Sequence, residues 1–363
     1  MSVMKIASRI KDYAVSFVET ADFIDRLEER FPQHCYVVDE NVWRLYADTF
    51  LSNLDRRSLI VQPVNEDRKN LVSVQELYEH LIERSAKRNM TLISIGGGIV
   101  QDISGFVAST LYRGINWVYV PTTLLAQADS CIGSKTSLNY KSFKNLIGTF
   151  YPPSEIFICA DFLTTLTEVD FFSGLGEVVK LHLLGGESKV QECVALMPQI
   201  IQREPVVLLR SVQNALMIKH GYITEDEFDL GRRNLLNYGH CFGHSLEATS
   251  NFEISHGQAV VLGMILANQV ARRRGILAES LTRLIFEKLL LPVLKVRPLP
   301  EYLETTPIVE AMKKDKKRTG EGLALIMLKN EYQFENVKDL TASEAGEALQ
   351  QVRQVLLGKK MLG

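Results

Sequence analysis

The stretch ISIGGGIVQDISGF, residues 93–106, passes from a short β-rich apolar run through three glycines into a helical pattern. Glycines at Gly96, Gly97 and Gly98 let a backbone approach a pyrophosphate closely, and free N–H groups at the start of the following helix would meet its charge. The triplet lacks the G-x-G-x-x-G spacing of the dinucleotide fingerprint, so a tight strand-to-helix turn accounts for it equally well.

Working outward, similar apolar runs recur as CYVVD (35–39), SLIVQPV (58–64), WVYVPTT (117–123) and IFICA (156–160). Helical patterns fall between several of them, notably VQELYEHLIERSAKR (74–88). Strand and helix in alternation predict a parallel sheet of the nucleotide-binding kind over the first 170 or so residues. From about residue 171 the pattern changes to 3.6-period segments such as VQECVALMPQIIQ (190–202), VVLLRSVQNALMIKH (206–220) and QAVVLGMILANQVARRRG (258–275), which predict a helical second domain. One exception, GLALIMLKNEYQFENV (322–337), reads as a small hairpin turning at Lys329, Asn330 and Glu331. The expected division is therefore 1–170 and 171–363, with a ligand cleft where the two parts meet.

Composition narrows the function class. With 363 residues, 46% hydrophobic and 23% charged, the chain can bury substantial cores, and disordered or fibrous classes are excluded. A net charge of -2, from 41 basic and 43 acidic side chains, gives no global field toward nucleic acid or membrane, so an anionic ligand would need a local cluster of cations. The first residues, MSVMKIASRIKDYAVSF, carry no apolar signal core, and no long uncharged apolar run follows, so a cytoplasmic location is expected. Five scattered cysteines without a C-x-x-C pair read as buried reduced thiols.

The densest chemical signal is NYGHCFGHSLEATSNFEISHG (237–257), which holds His240, His244 and His256, three of seven histidines. Neutral imidazole is the commonest protein ligand for zinc-like ions, so a metal site is expected there. Spacing alone would pair His240 with His244 on one helical face, as in zinc metalloproteases, but Cys241 stands where H-E-x-x-H needs its glutamate. In SGLGEVVKLH (173–182), Glu177 and Lys180 lie three apart on one predicted helical face, a spacing that by itself describes an ordinary ion pair. Basic residues also punctuate apolar or motif-like settings: Arg113, Lys135, Lys144, Lys219, Arg233 and the run KKDKKR at 313–318. The apolar stretch before Lys219 predicts a partly buried stem.

Together, residues 96–153, FFSGLGEVVK (171–180), RNLLNYGHCFGHSLE (233–247), SHG (255–257) and MKKDKK (312–317) resemble the ordered motif set of the 3-dehydroquinate synthases, one family of sugar phosphate cyclases. The resemblance implies an α/β N-terminal Rossmann-like NAD-binding domain and an all-α C-terminal metal-binding domain. By position it implies Glu177, His240 and His256 as ligands of a divalent metal, zinc or cobalt, with His244 on the substrate side. It implicates Asp39, Asn41, Glu66, Lys69, Gly96, Gly97, Gly98, Asp102, Thr122, Thr123, Lys144 and Thr165 in holding the cofactor. An acidic residue such as Asp39 suits a free ribose diol, which favours NAD over its phosphorylated form.

The same resemblance gives Lys180, Lys219, His244, Asn237 and Asp129 catalytic roles, and gives Arg113, Lys135, Asn145, Arg233 and Lys316, or its neighbour Lys317, to substrate binding. Arg113 matches a residue that reaches the phosphate from a neighbouring subunit, which implies a homodimer. The implied substrate is 3-deoxy-D-arabino-heptulosonate 7-phosphate: transient oxidation by NAD, loss of phosphate, re-reduction and aldol closure give 3-dehydroquinate. The alternatives are 2-deoxy-scyllo-inosose, 2-epi-5-epi-valiolone or aminodehydroquinate synthases, or a metal-dependent polyol dehydrogenase. Asn237 and Arg233 favour the heptulosonate substrate.

Overall fold

The computed structural model describes residues 2–141, 143–296, 298–313, 323–356 and 358. The chain divides into two compact units, Met1–Leu166 with Leu208–Val212, and Thr167–Val207 with Gln213–Gly363.

The first unit is built on seven strands: β1 (Ser2–Ile6), β2 (Tyr13–Val18), β3 (His34–Asp39), β4 (Leu59–Gln62), β5 (Thr91–Gly96), β6 (Asn116–Pro121) and, after a separate hairpin of β7 (Lys135–Tyr140) and β8 (Phe143–Phe150), β9 (Glu155–Cys159). Their spatial order is β1-β2-β9-β6-β5-β3-β4. Only β1 runs antiparallel to its neighbour, and the remaining pairings are parallel. Parallel strands covered on both faces read as unbroken apolar runs, and β5 is buried at every residue. The five apolar runs of the sequence fall on β3, β4, β5, β6 and β9, while β1, β2 and the β7–β8 hairpin are additions that the sequence pattern did not signal. The helix expected over 74–88 spans Leu71–Glu83. It starts earlier because the Asn70 side chain caps Val72 N and Ser73 N at 2.9 and 3.1 Å, and it stops where Ser85 takes a left-handed φ of 55°.

In the second unit, two helices are buried nearly all round: Glu168–Leu184, from Phe171 onward, and His256–Arg273, from Gly257 to Ala271. Shorter helices, including His240–Thr249, belong to the same unit. The one departure from an all-helical unit among the described residues is the hairpin of β10 (Leu323–Leu328) and β11 (Phe334–Leu340). Where the central helices meet each other and the start of His240–Thr249, glycine replaces side-chain contact with backbone contact. A Cβ on Gly257 would lie 1.7 Å from Ser173 O, one on Gly176 2.5 Å from Gly257 O, and one on Gly263 1.9 Å from Gly239 O.

The terminal helix Ala342–Leu356 is anchored by Arg274, whose guanidinium forks onto Glu344 (2.7 and 2.9 Å) and reaches Asp339 (2.8 Å). Arg274 holds the Glu344 carboxyl down at about 2, with Thr341 assisting and burial opposing. Since the folded value lies below the unfolded one, the stabilisation is complete above the ordinary 4.5 and is lost as pH falls through about 2. Because Glu344 is partly exposed, we expect about 1–2 kcal/mol to disappear over that window, and urea unfolding at stepped pH should show R274M with a flatter acid slope.

Candidate metal centre and cofactor residues

Three residues from three helices meet in the second unit. Glu177, from the third turn of Glu168–Leu184, is fully buried, and neither of its carboxylate oxygens accepts a hydrogen bond of acceptable geometry. His240 Nε2 stands 3.5 Å and His256 Nε2 3.2 Å from its Oε1, while Lys180 Nζ, itself 2% exposed, pairs with its Oε2. The ligand atoms of Glu177, His240 and His256 all lie within 4.8 Å of one another.

The backbone arrangement creates this convergence. Each of the three residues is adjacent to a glycine at a close crossing: Gly176 before Glu177, Gly239 before His240 and Gly257 after His256. His240 and His256 are the first residues of their helices, so both ligand side chains leave from helix N-termini, where partial positive charge gathers.

The far nitrogens fix the imidazoles. His240 Nδ1 donates to the Tyr238 carbonyl at 3.3 Å, and His256 Nδ1 donates to Glu247 Oε2 at 3.1 Å, so both rings turn Nε2 toward Glu177. Burial pushes the Glu177 carboxyl up, but Lys180, His240 and His256 outweigh it and hold it well below the usual range. Burial also drives His240 well down, aided by Lys180. His256 would be depressed by burial too, yet Glu177 and Glu247 on its two nitrogens raise it to about 10. A fully buried carboxylate with Lys180 on one oxygen and two oriented Nε2 atoms facing the other fits a divalent cation with open coordination positions.

His244 takes a different place. Its ring packs edge-on against His240, with centroids 5.2 Å apart, and it lines a cavity of about 370 Å³ with Asn237, His240 and, from the hairpin, Asn336 and Lys338. His244, Glu247 and His256 form a second group within ligand distance, but there His244 is exposed, whereas the carboxylate of the first group is fully buried. Asn237 donates Nδ2 to Asn234 O at 3.0 Å. Lys219 is 7% exposed and Arg233 4%, with Arg233 Nη1 donating to the Glu227 carbonyl. Lys316 and Lys317 lie outside the described residues.

In the first unit, a polar network joins the helix after the glycines to the β7–β8 hairpin. Lys69 Nζ contacts Asp102 Oδ2 at 2.5 Å and Asn145 Oδ1 at 2.7 Å, and Asp102 also accepts from Ser137 N at 2.8 Å. Glu66 accepts from Asn139 at 2.8 Å, with Lys144 3.9 Å away. Asp39 is buried at the C-terminal end of β3, caps Asn41 N at 2.8 Å, and is shifted upward by burial. Gly96 is packed so tightly that a Cβ would lie 2.8 Å from Val100 and 3.0 Å from Asp39 Cβ, whereas one on Gly98 would meet only Ser130 Oγ at 3.8 Å. Space at Gly98 is thus left open by the protein itself, as a phosphate approach requires.

Thr122 N donates to Gly96 O at 3.0 Å, Thr123 Oγ1 accepts from Ala126 N at 3.2 Å, and Thr165 shares a 2.7 Å hydrogen bond with Tyr46. Asp129 is half-buried, Lys135 and Arg113 are exposed, and Arg113 sits on left-handed backbone (φ 64°) between Tyr112 (φ 53°) and Gly114 (φ 120°). Two hydrogen-bond partners of the candidate ligands escaped the sequence reading: Glu247 behind His256, and the Tyr238 carbonyl behind His240. Glu247 could have been found as the residue two helical turns after His240, whereas a backbone carbonyl leaves no signature.

Comparison with known proteins agrees with this chemistry. Residues 58–173 match the 3-dehydroquinate synthase N-terminal model and residues 174–318 the C-terminal one. A 3-dehydroquinate synthase of Dehalococcoides mccartyi is 36% identical over 316 residues, 85% of this chain and 87% of that one. One from Clostridium tetani is 42% identical over 233 residues, 64% of this chain and 62% of its own length. Among solved structures, 2-epi-5-epi-valiolone synthase of Streptomyces hygroscopicus, with NAD+ and Zn2+ bound, superposes with a TM-score of 0.80 at 25% identity, covering 98% of this chain and 99% of that one. With both halves matched in order and more than a third of residues shared across most of its length, the chain belongs to the 3-dehydroquinate synthase family.

Proposed function

We propose that this chain converts 3-deoxy-D-arabino-heptulosonate 7-phosphate to 3-dehydroquinate and phosphate, with NAD and a divalent metal as resident cofactors. The observation that carries the reading is the fully buried Glu177, with Lys180 on one carboxylate oxygen and His240 and His256 presenting Nε2 to the other. Glu177, His240 and His256 would hold the metal, which when bound polarises a substrate hydroxyl. NAD would be held by Asp39, Asn41, Glu66, Lys69, Gly96 to Gly98, Asp102, Thr122, Thr123, Lys144 and Thr165, and would supply reversible hydride transfer.

The chain's own side chains do the rest. Lys180 is buried against Glu177, so its ammonium is desolvated and placed beside any group bound there. Lys219 is a second buried ammonium, and the two would ease proton loss from a hydroxyl and accept its developing negative charge. His244 and Asn237 share one cavity, where they can donate to a phosphate oxygen, and Asp129 would assist in orienting the sugar. Arg233, Lys135, Asn145 and Lys316 would match the substrate's carboxylate and phosphate. Arg113, exposed on strained backbone, would serve the phosphate of a second copy, making a homodimer the working unit. Among the described residues, no helix is long and apolar enough to cross a membrane.

The decisive assay combines NAD, zinc or cobalt and the heptulosonate phosphate, following inorganic phosphate, product mass and absorbance of reduced cofactor together. Phosphate release with 3-dehydroquinate and no net NADH is the expected result. Stoichiometric NADH accumulation would replace the cyclase with a dehydrogenase, and turnover undiminished by removal of metal and NAD would overturn both cofactor assignments.

A further inference from the structure

Glu247 has no role in the chemistry above, yet it is placed with care. It is 8% exposed on the helix His240–Thr249, and its Oε2 accepts from His256 Nδ1 at 3.1 Å. The other nitrogen of that ring stands 3.2 Å from Glu177. A single imidazole therefore spans two buried carboxylates, one on each edge.

The helix explains how this comes about. Positions 240, 244 and 247 follow a spacing of four then three, which puts them on one stripe of an α-helix. One rigid element thus carries the ligand His240, the cavity-lining His244, and the carboxylate that grips a ligand belonging to another helix. Two carboxylates flanking one ring repel each other unless positive charge lies between them. Where a metal ligand is also bonded to a carboxylate, that bond fixes the ring's tautomer and orientation and strengthens the coordinating nitrogen as a donor.

We infer that Glu247 is a positioning residue for the metal: it holds His256 with Nδ1–H donated and Nε2 aimed at the ion bound by Glu177 and His240. The inference rests on the metal assignment made above, and its test does not depend on turnover.

Metal-free wild-type protein and the variants E247Q and E247A would be titrated with zinc against a chromophoric chelator, and the cobalt-loaded forms compared by their visible d–d bands. E247A should bind zinc about 10- to 100-fold more weakly, with altered cobalt bands. E247Q should lose less, because an amide oxygen still accepts from Nδ1, and its near-identical shape guards against a folding defect. Wild-type zinc affinity and an unchanged cobalt spectrum in both variants would overturn the inference while leaving the metal site intact. Failure of the wild-type protein to take up stoichiometric metal would remove the metal assignment and this inference with it.

Discussion

Glu177→Gln is expected to abolish tight metal binding and to lower phosphate release by ~10³-fold or more, since several kcal/mol of charge stabilisation depend on the ion. Gln is nearly isosteric, so the helix Glu168–Leu184 keeps its packing, but the negative charge facing His240, His256 and Lys180 is gone. Lys180 would then be a buried ammonium without its carboxylate, a loss that costs about 3–5 kcal/mol when one partner of a buried pair is removed. Two readouts separate these effects. Elemental analysis of dialysed protein reports metal content, and circular dichroism with a thermal melt reports folding. A variant that folds, carries wild-type metal and turns over normally would show that Glu177 is not a ligand.

The second large effect concerns a residue with no side chain. Gly257→Ala would place a Cβ 1.7 Å from Ser173 O, against backbone that has no flexible end to move aside. It would also disturb the 3.0 Å bond from Gly257 N to Ser173 Oγ, one residue from His256. Destabilisation above ~4 kcal/mol is expected, read from chemical denaturation, with loss of metal in whatever fraction folds. Gly221→Ala is the matched control: it lies in the helix Pro205–Glu225 with nothing within 4 Å of the added Cβ. There, alanine should be neutral or stabilise by about 0.5–1 kcal/mol. Equal tolerance at both positions would refute the close-crossing account.

How far the sequence announces all this depends on the range of the signal. The parallel strands were legible because burial on both faces leaves continuous apolar runs such as Trp117–Val120 in β6. The β7–β8 hairpin was not, because KTSLNY mixes polar and apolar residues too weakly to stand out from loop. The histidine-rich segment declared metal chemistry, but helical spacing alone pointed to His240 with His244. The structure instead brings His240 and His256 around Glu177, a residue from another helix that no local period can connect to them. The family resemblance supplied that link. Likewise the pairing of Lys69 with Asp102 joins segments distant in sequence, and each residue alone reads as an ordinary surface charge.

The glycine crossings at 176, 239, 257 and 263 also bear on the order of assembly. A chain that must bring backbone to backbone before its ligands can meet gains no early advantage from the ion, because Glu177 and His256 are separated by the end of one helix and three complete ones, Glu187–Ile201, Pro205–Glu225 and His240–Thr249. In small zinc modules the ion organises an otherwise unfolded chain. Here the close crossings predict that the helices dock first and the ion enters a cradle already shaped by main chain, so the scarcity of metal in a cell would govern how many finished molecules are active and not how many fold.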